Sequence, residues 1–223
     1  VDTTFALAKY TWPIGEGYIG DDGEIHPNLG TLSRTRQLIK GLATMMYEEG
    51  KEPFVYVHMT NANILPMLSF AQANLGWEWK YGKADFQDKF TPGYIRAVNI
   101  GQQAGTIPVV LGGVVGIEDK QENIRVSRTC LAMTLPHQIF VYAHIAGAPA
   151  VKARDIISEF VVRPNCETYF YWDNKDLLEV PENLMATFHK AGDEILLVIG
   201  NLKDEGKYEM KFNLNKLRFS GIQ

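Results

Sequence analysis

Apolar and polar positions follow two different periods along this chain, and the change between them falls near Pro164. Before it, helix-spaced apolar residues alternate with short β-branched or aromatic runs. After it, short strand-like runs succeed one another with only turn residues between them. In the first part, residues 4–10 read as a strand and residues 12–29 as a long glycine-rich loop. From 32 to 49 the apolar positions Leu38, Ile39, Leu42, Met45 and Met46 recur at helical spacing, with Thr31 as a cap and Gly50 as a stop. Residues 54–59, preceded by Pro53, form a buried strand. Thr91-Pro92 opens a second helix that runs through Ile95, Val98 and Ile100 toward Gly105. Residues 107–111 are another short buried strand and 119–135 a third helix. The run 140–145, which contains His144, is either a further strand or that helix continued beyond Pro136.

In the second part, residues 169–172, 184–188, 195–199 and 208–212 read as short strands divided by Asn-Lys, Ala-Gly-Asp and Lys-Asp-Glu-Gly turns. That is an antiparallel module, expected as one face of a small β-sandwich, cut short or complemented by another segment. The order strand, loop, helix, strand in the first part implies a parallel sheet with right-handed crossovers. The expected fold class is therefore α/β, with a β/α segment over 1–163 followed by an antiparallel β-sandwich module over 164–223.

With 223 residues the chain can bury a sizeable core and hold one large domain or two small ones. A net charge of -4 with lysines and arginines scattered singly excludes nucleic acid and anionic membranes as partners. No apolar run of about 18 residues is present to span a bilayer. Val1 opens almost directly into a strand-like run, which predicts a trimmed or incomplete polypeptide, with an N-terminal segment or a second chain missing. Cys130 and Cys166 make neither a disulfide framework nor a zinc ligand set, and a single bridge between them stays open. Glycines end the 107–111 strand, but no GxGxxG or Walker pattern accompanies them, so no phosphate-cradling role is expected there; no cofactor and no metal are expected for the chain.

Chemistry concentrates around the 54–59 strand. At its end stand His58, Thr60, Asn61 and Asn63, hydrogen-bonding groups where an α/β sheet opens its ligand crevice. Further on, Gly76-Trp77-Glu78-Trp79-Lys80-Tyr81 encloses a carboxylate between indoles. Aromatic rings that displace water raise a neighbouring carboxyl's pKa, making Glu78 a candidate general acid, and flat rings stack on sugar faces. Strand alternation gives another reading, with both indoles on one face and Glu78 paired to Lys80, Lys83 or Arg96. The 12–29 loop carries Glu16, Tyr18, Asp21, Asp22, Glu24 and His26, again after a strand's C-terminal end, although Asp22-Gly23 is also a plain turn signal. Calcium spacing is absent from it. His137 and His144 have no metal-ligand spacing and read as structural.

The segments His58-Met59-Thr60-Asn61, Leu75 to Gly82, Asp85-Phe86-Gln87, Tyr94-Ile95-Arg96-Ala97 and Gly101-Gln102-Gln103-Ala104-Gly105 before Ile107-Pro108 resemble uncharacterised bacterial glycoside hydrolase-like proteins. Those are distant relatives of the family 123 β-N-acetylgalactosaminidases. The resemblance covers roughly residues 21–144, and 188–217 is similar to the β domain that trails such barrels. It implies a partial or complete TIM-type (β/α) barrel segment, the C-terminal half of a barrel, followed by the β-sandwich. It also implies a secreted or periplasmic glycoside hydrolase acting on an oligo- or polysaccharide.

Family 123 enzymes use an adjacent Asp-Glu pair, whereas this chain has that dipeptide only at Asp193-Glu194 and Asp204-Glu205, in turns of the β module. The expected catalytic groups are Glu78 as acid/base and Asp22 or Glu24, with Asp21 alongside, as the second carboxylate. His58 and Asn61 would hold sugar hydroxyls, and Trp12, Trp77, Trp79 or Tyr81 would stack on a ring. The alternative is a non-catalytic carbohydrate-binding or structural protein of a larger assembly.

Overall fold

A computed structural model describes residues 17–27, 30–58, 64–76, 90–99, 105–111, 119–202, 205–217 and 219, with backbone alone at 30–31, 98–99, 123 and 143–150. The chain forms two compact units, one from Val1–Glu78 with Gly101–Val109, the other from Trp79–Ile100 with Val110–Gln223. Within the second unit the β module packs on helices that precede it.

In the first unit, the strands β1 (Gly17–Ile19) and β2 (Ile25–Pro27) make an antiparallel hairpin with Tyr18 opposite His26. The stretch expected as an unbroken loop thus contains paired backbone, since Asp22 and Gly23 act as a turn between two short β-prone runs. Helix α1 (Gly30–Glu48) buries Ile39 and Ala43, one turn apart. It ends where Gly50, at φ 71°, donates to the Tyr47 carbonyl while Lys51 donates to that of Met46. Those two bonds close a Schellman motif, which needs a left-handed residue and so favours glycine. Strand β3 (Tyr56–His58) runs parallel to β4 (Ala73–Gly76), with the short helix α2 (Leu65–Leu68) between them in sequence, and β5 (Ile107–Val110) follows β4 in the sheet. Val55, Val57, Met67, Leu68 and Ala71 close a core with Ile39 and Ala43. No closed barrel is formed by the described strands.

The second unit begins with α3 (Pro92–Asn99), whose cap is Thr91: its Oγ1 accepts from the Tyr94 N–H at 3.2 Å. Helix α4 (Lys120–Thr134) is capped by Asp119, which accepts from the N–H groups of Gln121 and Glu122. It buries Val126, Cys130 and Met133 along one stripe, and it tightens into a 3-10 turn over Leu135–His137. Strand β6 (Phe140–Val141) follows, and the Tyr142 N–H then donates to the Val110 carbonyl. The long helix α5 (Ala143–Val161) comes next. The undecided run 140–145 is therefore a strand giving way to a new helix.

Beyond it, β7 (Glu167–Tyr169), β9 (Leu184–Ala191) and β10 (Glu194–Asn201) form an antiparallel sheet ordered β10-β9-β7. A second pair joins β8 (Leu178–Glu179) to β11 (Lys211–Phe212). Every side chain from Leu184 to His189 is buried, which one solvated face would not allow. Alternation explains this. Ala186 and Phe188 point into a core with Leu178, Phe212 and Leu217, so the two small sheets stack. Between them on the opposite face, Thr187 donates through Oγ1 to the Pro136 carbonyl at 2.6 Å. The central strand is thus covered by its partner sheet on one side and by the end of α4 on the other.

Candidate functional site

Among the sequence-predicted residues, Glu78, Asn61, Trp77, Trp79, Tyr81 and Trp12 lie outside the described residues. Asp22 and Glu24 sit in the turn of the β1–β2 hairpin. The His26 ring lies 2.9 and 3.0 Å from the two Asp22 oxygens, and the Glu24 N–H donates to Oδ1 at 3.0 Å. Hydrogen bonding from His26 first, then from the Glu24 backbone, lowers the Asp22 pKa from its usual value. Stacking of Tyr18 on His26, with centroids 5.4 Å apart, holds the ring in place. The Glu24 side chain is exposed. His58 ends β3 opposite Leu75, half-buried, with Nε2 shielded from solvent.

The second unit contains a cavity of roughly 660 Å³ that the sequence did not single out. One wall is the first turns of α3, Pro92 and Arg96, which Thr91 orients by capping the helix. The facing wall is the turn after β7, carrying Tyr171, Trp172, Asn174 and Lys175. Leu178, Val180, Leu184 and Met185 close the apolar floor, with Glu179 and Glu182 exposed at the rim. The Arg96 guanidinium lies 5.8 Å from the centroids of both the Tyr171 and Trp172 rings, within cation–π range.

Behind these rings stands His137, wholly buried at the end of the 3-10 turn. Its Nδ1 lies 2.6 Å from the Met133 carbonyl, which can only accept, so Nδ1 carries the hydrogen. The Tyr171 hydroxyl therefore donates to Nε2, at 3.0 Å. Burial lowers the imidazole pKa to about 4, and nearby Arg96 adds to that, against the opposing pull of the Met133 and Pro92 carbonyls. The histidine is neutral at pH 7. Trp172 stacks on Phe170 at 4.4 Å and lies 5.5 Å from the His137 ring, while Tyr171 meets His137 edge-on at 5.2 Å. Asn174, also buried, donates through Nδ2 to the carbonyls of Tyr169 and Ala186, pinning the turn to β9.

Chemically, the cavity offers apolar and aromatic surface beside a guanidinium, an ammonium and two carboxylates. The Tyr171 hydroxyl is engaged by His137. Cys130 and Cys166 are free thiols, and burial pushes Cys130 up to about 12, so it is unreactive at neutral pH. No cluster of three or more His, Cys, Asp and Glu side chains able to hold a metal occurs among the described residues, nor any helix long and apolar enough to cross a membrane. The signal that would have revealed the cavity is the run Tyr169-Phe170-Tyr171-Trp172, read above as strand. Only its first residue is in β7, and the next three belong to a turn whose Asp-Asn-Lys-Asp sequence follows at once. No family model, no curated protein and no solved structure matches the chain.

Proposed function

We propose that the chain is a carbohydrate-active protein of the glycoside hydrolase type, built on a (β/α) barrel segment with a trailing β module and acting on an oligo- or polysaccharide. The observation that carries the glycan reading is the cavity of the second unit. Sugar rings are amphipathic, with apolar faces and a belt of hydroxyls, and this cavity sets the Tyr171 and Trp172 rings beside Arg96, Glu179 and Glu182. Hydrolysis is supported by the resemblance around Glu78, which would serve as acid/base. The depressed pKa of Asp22 suits a group that works ionised, as base or nucleophile, and leaves the proton-donor role to Glu78. Turnover of aryl glycosides, the β-N-acetylgalactosaminide included, tests this directly. Activity in the parent protein should fall by at least ~100-fold in Glu78→Gln, and full activity in that variant would sink the assignment.

One observation favours a second reading, non-catalytic glycan binding. Among the described residues, the cavity is lined from the second unit, with neither Asp22 nor Glu24 in its walls. Glycan binding that Trp172→Ala weakens, without hydrolysis of any bound glycan, would decide for this reading.

A further inference from the structure

We infer that the ligand of the second-unit cavity carries an anionic oxygen group, a carboxylate or a sulfate ester, and that Arg96 receives it. This rests on the reading of the cavity as a glycan site and narrows it to acidic glycans. Arg96 lines the cavity half-buried, yet among the described residues it forms no ion pair: its neighbours are the two aromatic rings. A guanidinium attracted to the two rings still carries its five N–H donors in a rigid fork, and no described residue accepts from them. That fork matches carboxylate and sulfate oxygens with paired hydrogen bonds.

The surroundings reinforce this assignment. Among the described residues lining the cavity, the acidic side chains are Glu179 and Glu182, exposed and solvated at its rim, where their repulsion of an anion is screened. Lys175, also at the rim, has the opposite sign and offsets them. Deeper in, low-dielectric aromatic surface strengthens attraction to Arg96. The Tyr171 hydroxyl does not compete for the anion, since it is committed to Nε2 of His137. Among the described residues no carboxylate pairs with this half-buried cation, so an acidic sugar would supply a counter-charge that a neutral one lacks.

Isothermal titration calorimetry of the full chain tests this with three probes: a galacturonate oligosaccharide, the same oligosaccharide with its carboxyls reduced to alcohols, and a sulfated galactan oligosaccharide. At least one anionic probe should bind roughly tenfold to a hundredfold tighter than the neutral one. Which one does so distinguishes carboxylate from sulfate. Arg96→Gln should abolish that preference while leaving weak neutral binding, and Arg96→Lys should restore part of it.

If Arg96→Gln does not fold, the parent protein still decides, because its anion preference should shrink as NaCl is raised. Equal affinity for neutral and anionic probes, or a preference unchanged in Arg96→Gln or indifferent to salt, overturns the inference and leaves the glycan reading standing. Failure of the folded parent to bind any probe overturns both.

Discussion

The phenolic hydrogen of Tyr171 is donated to Nε2 of His137 across 3.0 Å, tying a residue of the cavity wall to the buried end of α4. The bond couples what a ligand would touch to the packing of the unit. Tyr171→Phe keeps the ring but leaves a buried imidazole nitrogen without its donor. Urea unfolding should show a loss of about 1–2 kcal/mol, with the midpoint moved and the slope unchanged.

Acid should weaken the second unit earlier than its carboxylates alone would require. Burial lowers the pKa of His137, and likewise that of His189, to about 4 from 6.5. In the unfolded chain both bind a proton near pH 6.5, while in the folded chain they resist it. The stabilisation is therefore complete above pH 6.5 and is lost as the pH falls toward 4, by on the order of 2–3 kcal/mol for His137. Thermal melts between pH 7 and 4 check this, and His137→Gln should flatten the acid limb.

Two glycines should respond in opposite directions to alanine. A Cβ on Gly200 would overlap the Ala132 carbonyl oxygen and crowd Met185 and Pro136, each 3.0 Å away, so Gly200→Ala should cost ~3 kcal/mol or more. At Gly41, inside α1, a Cβ meets nothing within 4 Å. Gly41→Ala should stabilise by up to about 1 kcal/mol through helix propensity. Parallel denaturant curves of the two variants give both numbers.

The Asp22 carboxyl should titrate below the ordinary aspartate range, and His26→Ala should move it back toward 3.8, because the histidine is the largest of its causes. Carboxyl chemical shifts followed by NMR against pH would show both. An unshifted Asp22 in the parent protein would remove the basis for giving it an ionised role.

Local signals in the sequence proved the most legible. Thr91 caps its helix, Gly50 ends α1, and Ala191-Gly192-Asp193 forms the hairpin between β9 and β10, because each depends on neighbours a few residues away. Helix α5 was obscured: its first half holds Gly147 and Pro149, residues that signal a break, and the helical backbone there overrides them. The cavity was only half legible, its aromatic run 169–172 standing in the sequence without the wall it faces. Arg96 and Trp172 come together only through the packing of the second unit, and nothing local to either marks the other. The full burial of β9 was masked as well, since Thr187 and His189 look like solvent-facing positions until Pro136 and Thr168 supply their partners.

Asn174 carries a consequence for how a ligand arrives. With Nδ2 on the carbonyls of Tyr169 and Ala186, and its own carbonyl receiving the N–H groups of Leu177 and Leu178, it fastens both ends of the turn that holds Tyr171 and Trp172. The ordering entropy of that turn is spent during folding, not at the encounter. Association should then follow a single exponential whose rate rises linearly with ligand concentration, without a slow isomerisation, so the lifetime of the complex, not its speed of formation, would separate good ligands from poor ones.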